Sequence, residues 1–266
     1  MATPQPSAPA EARLDRARVA DQIIARLQAK IANGSYPRGS KLPTERVLAA
    51  TYGVSAPTIR EALRALTSMG LVQVRHGSGA YVAENSDGLI DSALATLAAI
   101  EDVTMLELLG LLGVLNLYVA ELAVEHATDA DTGHVEAAAE ASARCESPQE
   151  LSPAVTDFLV SFAASAHQPL LSALCGFLVR AVVRIETVNS SERSNQYWRT
   201  WAAETSALRL DMARALKRRD REALKAAVAR LHSRIIERAS EHPALRDARM
   251  SDPQVGLLRQ LFENQS

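Results

Sequence analysis

Few residues in this chain are spaced for chemistry, and those that are point to binding rather than bond-making. No G-x-S-x-G serine turn, P-loop, Rossmann glycine run or HExxH occurs, so the common hydrolytic, phosphoryl-transfer, dinucleotide and zinc-protease chemistries have no carrier. The paired carboxylates Asp129 and Asp131 fall at a helix start, where capping explains them. Arg180 and Arg184 in LVRAVVRIE are four residues apart, a spacing that suits an anionic group and equally suits pairing with Glu186, Glu204 or another acid. Asn116 and Tyr118 are polar handles inside LLGLLGVLNLYVAEL. In the same run Gly110 and Gly113 each cost a helix about 1 kcal/mol against Ala, which implies close packing or room for a ligand. A second polar set, Thr58, Arg60, Glu61 and Arg64, stands off an apolar stripe of Ile59, Leu63 and Leu66.

That second set lies in the stretch around which the chain is organised, Leu42 to Val82. Thr44 is placed to cap a first helix whose apolar face is Leu48, Ala49 and Tyr52, and Gly53 stops it, since Gly enters the left-handed conformation without steric cost. Ser55 is placed to cap a second helix with Pro57 in its first turn. Gly70 ends that helix. Leu71, Val72 and Val74 then read as a strand, and His76-Gly77-Ser78-Gly79 turns into Ala80-Tyr81-Val82. The pattern is a winged helix-turn-helix, whose second helix is shaped for a DNA major groove with its N-terminal residues at base edges.

LPTER, YGVSAPTIREALRAL, GLV and HGSGAYV resemble the DNA-binding domain of the GntR family of bacterial transcription regulators, over about Val19 to Ala83. The resemblance implies DNA contact by Arg46 and Arg60, then by Ser55 and Thr58 at the start of the second helix, with His76 and Gly77 at a wing tip in the minor groove. A surface salt bridge of Arg60 with Glu61 or Glu45 is the bland alternative. Ala56 stands where the family usually has Arg. An Arg–guanine pair is worth about 1–3 kcal/mol of discrimination, so no operator sequence can be borrowed.

The 266 residues suffice for two domains. Hydrophobic content is 47% against 4% aromatic, a composition that fits Ala/Leu/Val-packed helices better than a β-sandwich. Residues 1–85 hold 11 Lys/Arg and 6 Asp/Glu, net +5, leaving 18 basic and 25 acidic residues, net −7, for the remainder. A basic head on an acidic body suits phosphate contact at one end only. Cys145 and Cys175 form no CxxC and read as buried reduced thiols. No signal peptide, lipidation motif or membrane span is expected; the apolar run Met105–Leu115 is too short and is flanked by charge. The expected location is the cytoplasm.

Residues 1–12 are Pro/Ala-rich and read as a disordered tail. The winged domain is expected over 13–83, opening with an amphipathic helix from Arg13 to Ala32 that carries Val19, Ile23, Ile24, Leu27 and Ile31. A linker follows at 84–88. An all-helical domain for effector binding and dimerisation is expected over 89–242, with six to seven helices near 88–100, 103–127, 129–144, 150–166, 168–189, 192–218 and 220–240. Asp129, Ser190 and Asp220 are placed as N-caps, and 243–266 as a C-terminal extension with a short helix. The fold class is thus mainly α. Helix count, FAASAHQPLL and ALKRRDREALKAAV resemble the FadR-like branch, with its all-helical FCD effector domain.

Many members of that branch hold a divalent metal through an Asp and a His four apart and two later histidines. No Asp-x-x-x-His occurs here. The expected positions fall on Val155, Leu159, Arg209 and Leu231, with Asp157 and His232 off register, so no metal and no cofactor is expected. His126, His134, His167 and His242 read as surface or helix-end residues. Asn116, Tyr118, Arg180 and Arg184, the last agreeing with an Arg of the branch, are the expected effector contacts. The resulting expectation is a ligand-responsive repressor, not an enzyme, that binds a palindromic DNA operator as a homodimer and is released by a small-molecule effector, with no membrane partner. An acyl-type effector and a small carboxylate both stay open. A sequence-indifferent architectural DNA-binding protein is the reading from another class, and the acidic body argues against it.

Overall fold

The computed structural model describes residues 10–75, 77–83, 87–189 and 194–255, in two compact units, 1–92 and 93–266. The expected tail lies outside the described residues up to 9, as do linker residues 84–86 and the extension from 256 on.

In the first unit, α1 (Ala10–Ala32) starts three residues before the expected Arg13 and so takes in residues 10–12 of the expected tail. It buries Ala20, Ile23 and Leu27, while Val19, Ile24 and Ile31 are only partly covered. α2 (Glu45–Tyr52) is capped by Thr44, whose side chain accepts from the Val47 N–H, and is closed by Gly53 at φ 66°. α3 (Ala56–Ser68) packs Ile59, Leu63 and Leu66 against α1 and α2. Ser55 occupies its N-cap position but makes no capping bond; its hydroxyl bonds the Thr58 hydroxyl at 2.8 Å instead. β1 (Val72–Arg75) pairs antiparallel with β2 (Gly79–Val82), Val72 opposite Val82 and Arg75 opposite Gly79. Lys41 adds a bridge to Tyr81.

In the second unit, residues of α4 (Asp87–Ile100) precede a closed ring. α5 (Met105–His126) packs on α10 (Arg221–Glu241), which packs on α9 (Asn195–Lys217). From there the ring passes to α6 (Asp129–Ala143), α7 (Pro148–Ala164) and α8 (Pro169–Asn189), and α8 returns to α5. Thr104 and Thr128 close capping boxes with Glu107 and Asp131, so Thr128 rather than Asp129 caps α6. Ser194 caps α9; Ser190, the expected cap, lies outside the described residues. Asp220 caps α10 as expected. α11 (Pro243–Arg246) is short, and the chain beyond it is tied in: Leu245 and Ala248 are buried, the Met105 N–H donates to Ala248 O, and the Met250 N–H donates to Val103 O.

α5 is longer than the apolar run Met105–Leu115 that the sequence singles out. At 22 residues it is long and apolar enough to cross a membrane by length and composition. Within the ring α5 buries Leu108, Leu109, Leu112 and Val119 together with Asn116, and Asn116 finds its partner on α10.

Candidate functional sites

The first candidate is the face carrying α3 and the ribbon. Leu63 and Leu66 hold α3 down, which leaves Arg60, Glu61 and Arg64 outward. Arg60 is exposed and pairs with Glu45 at 3.0 Å, one of the two acids named for it. That contact raises its pKa, by hydrogen bond first and charge second. Arg46 and Ser55 are exposed, whereas Thr58 is 5% exposed and turned into the core edge. Thr58 therefore supports Ser55 rather than facing outward, because its position falls beside Ile59 on the buried arc. Ala56 is half-buried and puts a methyl group where an arginine would project. Gly77 has φ 69°, so the tight turn needs a residue without a side chain. His76 lies outside the described residues.

The ribbon adds two cations that the linear reading missed. Lys41 and Arg75 flank Tyr81, at 5.8 and 4.4 Å from its ring centre, and the Tyr81 hydroxyl bonds Ser78 at 2.7 Å. Ser78, then the two cations, hold the Tyr81 phenol below its usual pKa. The signal was present only as register: Lys41 and Arg75 are 34 residues apart, and strand pairing brings both to one ring.

The second candidate is a cavity of about 50 Å3 inside the helical ring. Its apolar wall includes Leu109 and Leu112 of α5, Val155 and Leu159 of α7, and Val179 and Val182 of α8. Its polar wall is Trp198 and Arg209 of α9, His232 of α10 and Glu186 of α8. Arg209 is 3% exposed, and its Nε donates to Ser142 Oγ of α6 at 2.8 Å. Burial pushes the Arg209 pKa down to about 10, against a small opposing pull from Cys145 and Glu186, so it stays charged at neutral pH. Glu186 is engaged by Arg238, whose guanidinium stacks 3.9 Å from the Trp201 ring and bonds the Tyr197 hydroxyl. His232 is buried and bonds Asn116 across the ring at 3.0 Å. Burial lowers its pKa to about 4.

None of the expected effector contacts lines this cavity. Tyr118 is 56% exposed on the outside of α5. Asn116 is buried as the partner of His232 and does not line the cavity. On α8 the cavity takes Val179, Val182, Val183 and Glu186, a stripe at helical spacing, so Arg180 and Arg184 fall on neighbouring faces. Arg180 packs against Gly176, and Arg184 lines a separate open groove of about 390 Å3 with Ala99, Ile100, Met250 and Val255. Gly113 admits the His232 ring at 3.4 Å, the close packing foreseen, while Gly110 faces open space. Of the two cysteines only Cys175 is buried; Cys145 is half-buried, and both are free thiols.

Three of the four family metal positions do meet at the cavity: Val155, Leu159 and Arg209 line it. The fourth, Leu231, does not line it. His232, not Leu231, faces inward; the step is about 100° on a helix. Aliphatic carbons and a guanidinium offer no lone pair to a cation. No group of three or more His, Cys, Asp or Glu able to hold a metal occurs among the described residues. The residues present do not fit a divalent ion.

Residues 19–82 match the family described as bacterial regulatory proteins, gntR family, and residues 107–234 match the FCD domain. The uncharacterized HTH-type transcriptional regulator Rv0494 of Mycobacterium tuberculosis is 36% identical over 119 residues, 44% of this chain and 49% of its own. The HTH-type transcriptional regulator LutR of Bacillus subtilis is 34% identical over 121 residues, 46% of this chain and 55% of its own. The chain spans about half the length of the curated relatives it matches. A solved GntR structure from Streptococcus agalactiae, 21% identical, superimposes with a TM-score of 0.61 over 82% of this chain and 99% of that one, a likeness of fold. The winged head and the helical ring each match in sequence order, and on that ground the chain carries a DNA-binding domain of the gntR family of bacterial regulatory proteins over residues 19–82 and an FCD domain over residues 107–234.

Proposed function

We propose that this protein is a ligand-responsive transcription regulator, a cytoplasmic repressor that binds a palindromic operator as a homodimer and releases it when a small effector occupies the helical ring. The observation that carries the DNA reading is the outward set Arg46, Ser55 and Arg60, with Lys41, Arg75 and Gly77 on the adjoining ribbon. Cations in water pair with phosphates, and a helix start reads base edges. The homodimer is supported by Leu111, Val114 and Tyr118, an exposed apolar stripe along α5. An effector can act only by binding one arrangement of the protein more tightly than another.

The interior cavity supports the small-carboxylate reading over the acyl one. Its size leaves room for roughly four waters, hence a ligand of about four to six heavy atoms. The acyl reading keeps one specific support, the larger apolar groove at Arg184. A C6-to-C16 acid and acyl-CoA titration separates the two: affinity that rises with chain length and weakens in Arg184→Ala selects the groove.

The DNA reading is tested by selecting sites from a random duplex pool at ~150 mM salt, where long-range charge is screened. A palindromic consensus is expected. Equal retention of all sequences would select the architectural alternative instead.

A further inference from the structure

Three side chains lining the interior cavity end in hydrogen-bond donors that find no acceptor among the described residues: Arg209 Nη2, Trp198 Nε1 and His232 Nδ1. Guanidinium and indole nitrogens can only donate. His232 is neutral, and with Asn116 Nδ2 donating to its Nε2, its proton rests on Nδ1. Acceptors are scarce on the same wall. Glu186, the only carboxylate among the lining residues, is taken by Arg238, and Ser152 shares a bond with Thr187.

The charges are as lopsided as the hydrogen bonds. Arg209 and Arg238 are both buried and share one acid, Glu186, which pairs directly with Arg238 and reaches Arg209 only at longer range, so the three together keep one net positive charge. Arg209 makes no ion pair with a described residue. A buried cation without a counter-ion is costly. Its Nε is fixed by Ser142, so the terminal amino end is the part left for a ligand. Around it the wall is aliphatic, through Leu109, Val155, Leu159 and Val179.

We propose that the cavity binds a short-chain monocarboxylate, with the Arg209 guanidinium standing in the place of a divalent metal as the cation that holds it. This rests on the reading of residues 93–266 as the effector-binding part of the regulator. One uncompensated charge matches one carboxylate; a second would meet Glu186. The Trp198 N–H and the His232 Nδ1–H supply further donors, and the aliphatic wall takes the chain. Because the charge belongs to the protein, affinity is independent of added metal.

The test is calorimetric titration of the full-length protein, after dialysis against EDTA, with propionate, butyrate, malonate and butyramide. Propionate and butyrate bind; malonate and the neutral amide bind about 30-fold more weakly or worse. Arg209→Met loses butyrate by about 30-fold while keeping wild-type operator affinity, and Trp198→Phe, which keeps the bulk and removes one donor, loses about 5-fold. Butyramide binding as well as butyrate, binding that requires added zinc or manganese, wild-type affinity in Arg209→Met, or no binding by any of the four each overturns the proposal. Should Arg209→Met fail to fold, Trp198→Phe and the amide comparison decide it alone. Arg209-dependent butyrate binding that leaves operator affinity unchanged upholds the ligand site and overturns the effector reading of this unit. Butyrate that weakens operator binding upholds both.

Discussion

Arg60 and Arg209 carry the same guanidinium under opposite conditions. Arg60 stands half in water with Glu45 at 3.0 Å. Solvent and salt screen that pair, so the carboxylate can be exchanged for a phosphate at little cost. Arg209 is nearly sealed, tied to a neutral serine, and is in direct contact with no acid on the wall, Glu186 acting on it only at longer range. The exposed cation suits reversible exchange along a polyanion. The buried one suits a single small anion, since water no longer competes. The basic head and acidic body of the sequence hide this, because the charge that matters most in the body is one residue of the minority sign.

The largest expected effect is on pH. The head's only histidine is His76, whereas the ring holds His232 buried and neutral. Burial lowers the His232 pKa from 6.5 to about 4. Between those values the unfolded chain binds a proton that the native ring refuses. Stability from this group is therefore complete above pH 6.5 and is lost as pH falls toward 4, by about 3 kcal/mol in all. Thermal melts of the ring at pH 7, 5.5 and 4.5 should show the decline, and His232→Gln should flatten it. A wild-type ring equally stable at pH 7 and 4.5 would break the contrast between the units.

Next in size is a crossed pair of substitutions. Arg60→Ala should weaken operator binding by about 10- to 100-fold, the range of one good base or phosphate contact, with no change in melting temperature. Arg209→Met should do the reverse. It leaves operator affinity alone and stabilises the ligand-free protein by about 1–2 kcal/mol, because an apolar chain of similar length replaces an uncompensated charge. Gel shifts and melting curves on both variants check this, and a lower melting temperature in Arg209→Met would show that the buried charge has a partner.

The smallest effect separates two glycines of α5. A Cβ at Gly110 meets nothing within 4 Å, so Gly110→Ala should stabilise by about 0.5–1 kcal/mol. At Gly113 the Cβ would lie 3.4 Å from the His232 ring, and the gain should be smaller. Equal gains in chemical denaturation would mean that the His232 ring yields freely, sharpening the picture of how tightly the cavity is walled.

Much of the molecule was legible because it is decided locally. Gly53 and Gly70 stop helices because of their own φ, Asp220 caps α10 with its own side chain, and the turn at Gly77 follows from residues beside it. An amphipathic stripe needs only its own spacing, so the helices from α5 to α10 were placed to within a few residues. The winged head, compact in sequence, was readable in its helices and ribbon, whereas the choice of Glu45 over Glu61 as the Arg60 partner was left open.

The cavity was not legible, and the reason is geometric. Its donors come from α9 and α10, its aliphatic wall from α5, α7 and α8, and the serine that fixes Arg209 from α6. No spacing along the chain relates these positions. An error of one residue turns a side chain by about 100°, which separated Leu231 from His232 and the Arg180/Arg184 pair from Val179 and Val183. Sequence by itself determined where each helix begins, ends and hides its broad apolar face, since those are short-range matters of propensity and capping. Only the packed ring decided which residue of each face points inward, because that rotation is set by the neighbouring helices, and it made a guanidinium, an indole and an imidazole meet in one small space.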